Sequence, residues 1–267
     1  MIRLRFEKAS QIFELNIDSL SESIQVVLPT DEIISNQEIL TKISDSAAQP
    51  PKVTWIAEIS PLIFEGSLEK QKEKLAKLKE LGVRDVLAEN IGSLAMAKEV
   101  GFNVHGGFTL NILNSVALKE YQSLGLCSAT LSIELSFANA KSLVSNLKQN
   151  EIKLPVGMIT YGYLPMMKFR SCPARTNSGC GNCNGHPQIT DRMGEKFSII
   201  CREKQYSELL NFVPVYVGDK SIPKLDFEEL YFTTESQARC KKIFEMYTAK
   251  APADFERTAG LYFRELQ

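Results

Sequence analysis

VRDVLAENIGSLAMAKEVGFNVH, residues 83–105, carries a whole strand–helix–strand unit and sets the fold class of the chain. Asp85–Ala88 is a short apolar run of strand length. A helix follows from about Ile91 to Val100 and stops at Gly101, and Phe102–His105 is the next strand. A strand, a crossover helix and a second strand at this spacing make the repeating unit of a parallel sheet.

The same rhythm runs outward in both directions. Ile24–Leu28 reads as a strand with a helix over Asp31–Ile43, closed by the polar link SDSAAQPP. Val53–Ile59 is the next strand. Ser67 then opens a helix whose apolar contacts are Leu68, Leu75, Leu78 and Leu81, with Gly82 as its stop. After His105 a helix presents Leu113, Val116, Ala117, Tyr121 and Leu124 on one face. Cys127–Ile133 is the fifth strand, and Phe137, Ala140, Val144 and Leu147 follow it at amphipathic spacing. Val156–Tyr161 is the sixth strand, where the rhythm is interrupted. It resumes with Val213–Val217 as the seventh and Glu229–Thr233 as the eighth, before a helix with Cys240, Ile243, Phe244 and Tyr247 inside.

Eight such units predict an α/β fold, a (β/α)8 TIM-barrel-like closed sheet, with an open doubly wound sheet as the alternative. Residues 1–20 alternate apolar and polar twice (Ile2, Leu4, Phe6 against Arg3, Arg5; then Phe13, Leu15, Ile17). They read as a short N-terminal β appendage. The expected organisation is thus the appendage at 1–20, the barrel at 21–250 and a tail at 251–267.

The interruption after the sixth predicted strand, about residues 161–201, contains four of the six cysteines at spacing C-x7-C-x2-C-x17-C: Cys172, Cys180, Cys183 and Cys201. Pro173, Gly179, Gly181 and Asn182 turn the backbone between them, and Phe197–Cys201 reads as a strand inside the insertion. Four thiolates so grouped suit a metal ion or cluster. A structural zinc knot, a redox pair and no shared role are the other readings. The chain opens MIRLRFEKAS, without an apolar signal-peptide core, and holds no apolar run of membrane length, so the expected location is cytoplasmic. A reducing compartment disfavours disulfides. His186 is a further potential ligand, whereas Cys127 and Cys240 fall on apolar strand and helix positions and read as inert core thiols.

The 267 residues include 44% apolar and 24% charged side chains with a formal net charge of −1, an ordinary globular balance without a global basic field. Lys168, Arg170, Arg175 and Arg192 form a local basic group in or beside the cysteine stretch, where they are either solvated charges or phosphate contacts. A β/α barrel carries function at the C-terminal ends of its strands. Glu58, Glu89, Asn90, His105, Glu134, Tyr161 and Asp219 fall there, and His105, Glu134 and Tyr161 are the candidate catalytic residues. Asn111 and Asn114 open the helix after the fourth predicted strand, as ligand-aiming amides or as caps.

Five separated segments carry a family resemblance: LNILNS (110–115), LSIEL (131–135), YGYLPMM (161–167), Cys172–Pro173 and ITDRMGEKFSI (189–199). Together they resemble the collagenase-like peptidases, family 32 of the peptidases of unknown catalytic type, over about Ile24–Tyr247. The likeness is to the second barrel of the long bacterial members. The resemblance implies a β/α barrel with cysteines at its strand ends. In several relatives such cysteines hold an iron–sulfur cluster (4Fe–4S), with hydroxylation of ribosomal RNA, transfer RNA or a small aromatic quinone precursor. By that likeness Cys172, Cys180, Cys183 and Cys201 are the metal ligands, with zinc as the alternative. Lys168, Arg170, Arg192, Asn111 and Asn114 are then substrate contacts, and the family's first barrel would belong to a longer protein of which this sequence is a fragment, or sit on a partner chain. Proteolysis is what the family name implies. The sequence carries neither an HExxH zinc motif nor a G-x-S-x-G elbow. A non-catalytic, zinc-stapled binding module is the third reading.

Overall fold

A computed structural model describes residues 1–13, 23–42, 53–175, 180, 183, 187–202 and 205–264. The strands are β1 (Ile2–Phe6), β2 (Ile24–Pro29), β3 (Val53–Glu58), β4 (Asp85–Ala88), β5 (Asn103–Gly106), β6 (Leu126–Thr130) and β7 (Val156–Gly162). They continue with β8 (Pro165–Phe169), β9 (Gln188–Thr190), β10 (Lys196–Arg202), β11 (Tyr206–Leu210), β12 (Val215–Tyr216) and β13 (Phe227–Phe232). The helices are α1 (Thr30–Ser35), α2 (Glu38–Lys42), α3 (Leu68–Glu80), α4 (Ile91–Val100), α5 (Ser115–Ser123), α6 (Phe137–Ser145) and α7 (Gln237–Thr248).

Strands β1 to β7 pair in sequence order, each parallel to the next, and β13 closes the ring by pairing parallel with both β7 and β1. The result is a closed eight-stranded parallel barrel with helices on its outside, as the repeating units predict. One of the eight strands is not among those expected, and one expected strand lies outside the ring.

Ile2–Phe6 is not an appendage. It lies between β13 and β2, with Ile2 opposite both Glu228 and Ile24. In this barrel its alternation places the polar side chains inside. Leu4 and Phe6 face the helices, while Arg3 and Arg5, 0% and 1% exposed, fill the barrel interior. Conversely, Val213–Val217 is no barrel strand. Only Val215–Tyr216 is extended, and it runs antiparallel to the end of β7, beside Tyr161 and Gly162. Strand β6 reaches β7 only at Val156 and Gly157, which leaves that edge free for β12. The insertion accordingly follows the seventh barrel strand, not the sixth. Leu15 and Ile17 lie outside the described residues, and Phe13 packs edge-on to Phe6.

Local signals explain the helices. Asn90 caps α4 by accepting from the Ser93 amide at 2.7 Å, and Gly101 ends it at φ +85°, a left-handed conformation that costs glycine little. Ser236 and Ser136 cap α7 and α6 in the same way. Ser67 does not cap α3; its hydroxyl donates to the Phe64 carbonyl. The helix expected over Asp31–Ile43 is two short ones, α1 and α2, broken at Asn36.

The chain between β7 and β13 builds a second, four-stranded antiparallel sheet in the order β8-β11-β10-β9. It lies over the C-terminal mouth of the barrel, a position fixed by the side-chain pairs below. Beyond α7 the chain returns to the barrel: Tyr262 stacks on Phe137 at 4.7 Å and donates to the Ile159 carbonyl.

Candidate functional site

Two arginines from one strand organise the barrel interior. Arg3 donates to Ser128 (2.8 Å) and Thr130 (3.2 Å) on β6, across the barrel, and to Gln25 (2.8 Å) beside it. Its guanidinium lies over the Phe227 ring at 3.9 Å. Burial pulls its pKa down to about 10 against the attraction of Glu229, which leaves it charged at neutral pH. Arg5, one pleat further up, grips both oxygens of Glu58 at 2.8 and 2.9 Å, meets Glu89 at 2.6 Å, and reaches Glu229 at 3.4 Å. Burial opposes its charge, but Glu58 and then Glu89 outweigh burial and hold its pKa well above the ordinary arginine value. Gly107 makes room for this cluster, since a Cβ there would lie 2.3 Å from the Glu89 carboxyl. Such buried pairs stand only when both partners are present.

At the mouth the network passes to the inserted sheet. Arg202, at the end of β10, pairs with both oxygens of Glu7, donates to Glu208 at 2.8 Å and contacts the Tyr231 hydroxyl at 3.1 Å. Tyr231 in turn donates to Glu7. Burial disfavours the Arg202 charge, yet Glu7 above all keeps its pKa well above normal. Burial would raise the Glu208 carboxyl, but Arg202 and Lys168 prevail and lower it.

Beneath this latch lies a cavity of about 390 Å³, a size that suits a small ligand or the head of a larger one. Its floor and sides are the residues just past four neighbouring strands: Glu7 and Lys8 after β1, Thr30 after β2, Glu58 and Ser60 at β3, and Thr233 and Thr234 after β13. Gln71 and Lys74 of α3 form one wall, and Ile199–Arg202 of β10 form the roof, so the Cys201 strand covers the barrel mouth.

The residues expected to act together are dispersed. His105 turns down the barrel, not toward the mouth: its ring nitrogens meet Ser128 Oγ at 2.7 Å and Asp85, the first residue of β4, at 3.0 Å. Burial lowers its pKa, with Asp85 only partly restoring it. Serine, histidine and aspartate thus stand in a chain, but Ser128 is 4% exposed and its oxygen already takes a hydrogen bond from Arg3, which makes it a core relay and a poor nucleophile. Glu134 is exposed on the loop after β6. Tyr161 points outward to α7, donating to Glu235 at 2.5 Å. Asn114 is the N-cap of α5, accepting from the Ala117 amide at 2.9 Å, and Asn111 accepts from Ser132. Lys168 pairs with Glu208, Arg170 lies over the Phe64 ring at 3.7 Å, and Arg192 is exposed in the turn before β10.

Cys180, Cys183 and Cys201 are exposed and Cys172 is half-buried, all on the insertion. Among the described residues no three histidine, cysteine, aspartate or glutamate side chains gather as a metal-binding group. The four thiols share one segment, but no three of them stand together as a cluster needs. His186 lies outside the described residues. Cys240 is buried as expected, whereas Cys127 is exposed rather than a core thiol.

Sequence reading missed Arg3, Arg5, Glu7, Gln71, Arg202, Glu208 and Thr233. The available signal was Arg3 and Arg5 alternating with Leu4 and Phe6, a strand whose polar face carries two cations of one sign.

A profile of peptidase family U32 matches residues 34–185, more than half of the chain. The chain belongs to peptidase family U32. A curated relative, described as an uncharacterized protease of Methanocaldococcus jannaschii, is 26% identical over 127 residues, 46% of this U32 chain and 31% of the relative. The match thus spans about a third of that protein's length. The solved U32 peptidase Mk0906 covers 88% of this chain and 94% of its own at 12% identity and a TM-score of 0.47. A copper homeostasis protein, CutC, from Streptococcus agalactiae aligns at 11% identity over 59% of this chain and 86% of its own, with a TM-score of 0.40. The barrel assignment of this U32 member rests on its own strand pairing. Among the described residues no helix is long and apolar enough to cross a membrane.

Proposed function

We propose that this U32 chain is the substrate-binding barrel of an enzyme that hydroxylates a base of ribosomal or transfer RNA, or a small aromatic ring, working with a partner chain that supplies a second barrel. The observation that carries this reading is the roofed cavity at the barrel mouth, with the Cys201 strand as its lid and the cysteine loop on the same insertion. A roofed mouth suits a reaction on one group partly screened from water. The Ser128–His105–Asp85 chain, which would favour peptide hydrolysis, runs down to the first residue of β4 with Ser128 and His105 buried, and it does not line the cavity. In hydroxylation a C–H bond becomes C–OH. The oxygen atom comes from an external oxygen-atom donor, which is reduced by two electrons as the substrate carbon is oxidised. The candidate cofactor is an iron–sulfur cluster, with zinc as the alternative. Cys172, Cys180, Cys183 and Cys201 would have to move together to hold either.

The test is mass spectrometry of RNA and small-aromatic fractions from cells with and without the gene. The expected result is loss of one species heavier by a single oxygen atom, restored by the wild-type chain and not by Cys201→Ser. Unchanged spectra in all these fractions would overturn the reading, as would casein hydrolysis by the pure chain that one point substitution abolishes.

A further inference from the structure

The wall of the mouth cavity separates into groups whose bonding is complete and groups whose bonding is not. Its charges are answered from within the protein. Glu58 is held by Arg5, Glu7 by Arg202, Lys8 by Glu32 at 3.1 Å, and Lys74 by Asp31 at 2.6 Å. Two neutral groups are not answered. Gln71 Nε2 and Thr233 Oγ1 are buried, belong to residues 6% exposed, and have no hydrogen-bond partner among the described residues, and both residues line this cavity. Buried polar atoms in folded proteins are satisfied with few exceptions, so an orphaned donor and an orphaned hydroxyl on residues that line one cavity mark a missing partner.

Gln71 is out of place for packing alone. It occupies the buried face of α3 with Leu75 and Leu78, at i, i+4 and i+7, where an amphipathic helix ordinarily carries an apolar residue. Thr233 sits one residue beyond β13, and its own amide is already taken by Glu235. Pro29, Pro61 and Ile200 give the same cavity flat apolar surface.

Building on the cavity as substrate site, we propose that it recognises a neutral amide, –CO–NH–. Gln71 Nε2 donates to the carbonyl oxygen, and Thr233 Oγ1 meets the N–H of that amide or of its neighbour. A phosphate or carboxylate entering here meets cations already neutralised, and an ammonium meets carboxylates already paired. A planar amide fills both vacancies and lies against the prolines. The amide edge of a nucleobase and the amide of a peptide share this chemistry.

Titration calorimetry on the full chain separates the cases. The probes are uracil against orotate, its carboxylate derivative, and N-acetylglycinamide against N-acetylglycine. One neutral probe should bind saturably, at least about tenfold more tightly than its charged counterpart. Gln71→Ala and Thr233→Val should each weaken it by about tenfold with the far-ultraviolet spectrum unchanged. Uracil as the binder assigns a base, and N-acetylglycinamide assigns a peptide. Equal binding of the charged compounds, undiminished binding by both variants, or no saturation by either neutral probe would overturn the proposal. Binding needs no turnover, so selective amide binding without an oxidised product would reject hydroxylation alone. An oxidised product without amide selectivity would reject this inference alone.

Discussion

Arg202 on the inserted strand β10 holds Glu7, the residue after the first barrel strand, by both carboxylate oxygens, and the roof of the cavity is fastened to the barrel there. Removing one partner of a buried pair leaves the other charge uncompensated. Arg202→Met should therefore destabilise the chain by about 3–5 kcal/mol. Arg202→Met combined with Glu7→Gln should cost less than the sum of the two single changes. Urea unfolding of the four proteins measures both quantities. A loss under about 0.5 kcal/mol for Arg202→Met would mean the roof is held by other contacts.

His105 gives the stability a pH dependence of known sign. Its folded pKa is lowered by burial, so the unfolded chain takes up its proton first as pH falls. The stabilisation is present above the unfolded value of about 6.5 and is lost as pH drops from there through the lowered folded value. His105→Asn should flatten the stability profile between about pH 7 and pH 5, at a lower overall stability. Glu208, also lowered, acts in the more acidic carboxylate range. Denaturant midpoints taken across pH in both proteins decide it, and identical slopes would refute the assignment.

Thiol labelling distinguishes the cysteines. In metal-free protein Cys127, Cys180, Cys183 and Cys201 should react quickly with iodoacetamide, Cys172 more slowly, and Cys240 only on unfolding. Burial both hides Cys240 and raises its thiol pKa. If the insertion takes up an iron–sulfur cluster on anaerobic reconstitution, Cys172, Cys180, Cys183 and Cys201 should become protected together while Cys127 stays reactive. Labelling that is the same before and after reconstitution would remove the cluster from this chain.

Asn114 tests cap against contact. Its side chain already accepts the Ala117 amide, so Asn114→Ala should cost about 1 kcal/mol and Asn114→Ser much less. Neither change should alter probe binding in the mouth cavity. A change in that affinity with stability intact would show that Asn114 meets the ligand.

Much of the barrel was legible because its units are local. Residues 83–105 contain a cap, a helix and a left-handed stop within reach of one another, and they fold as read. What escaped reading depends on partners distant in sequence. Arg3 and Arg5 read as part of an appendage because nothing near them announces Glu58, Glu89 or Glu229. The eight-strand total nevertheless came out right, since one barrel strand was omitted at the start and a spurious one added near Val215. The catalytic expectation for His105 failed to mark orientation: a strand-end position fixes depth, while the side chain follows Asp85 and Ser128 down the barrel. Gln71 was invisible as a candidate because its meaning lies in a missing hydrogen bond, which only packing defines.

The placement of β1 between β2 and β13 also governs how the chain is made. Arg5 and Glu229 are 224 residues apart in sequence, so the ring closes only once β13 has left the ribosome. Until then one edge of β1 stays open, and a chaperone, or the last strand of a neighbouring nascent chain, can take the place reserved for β13.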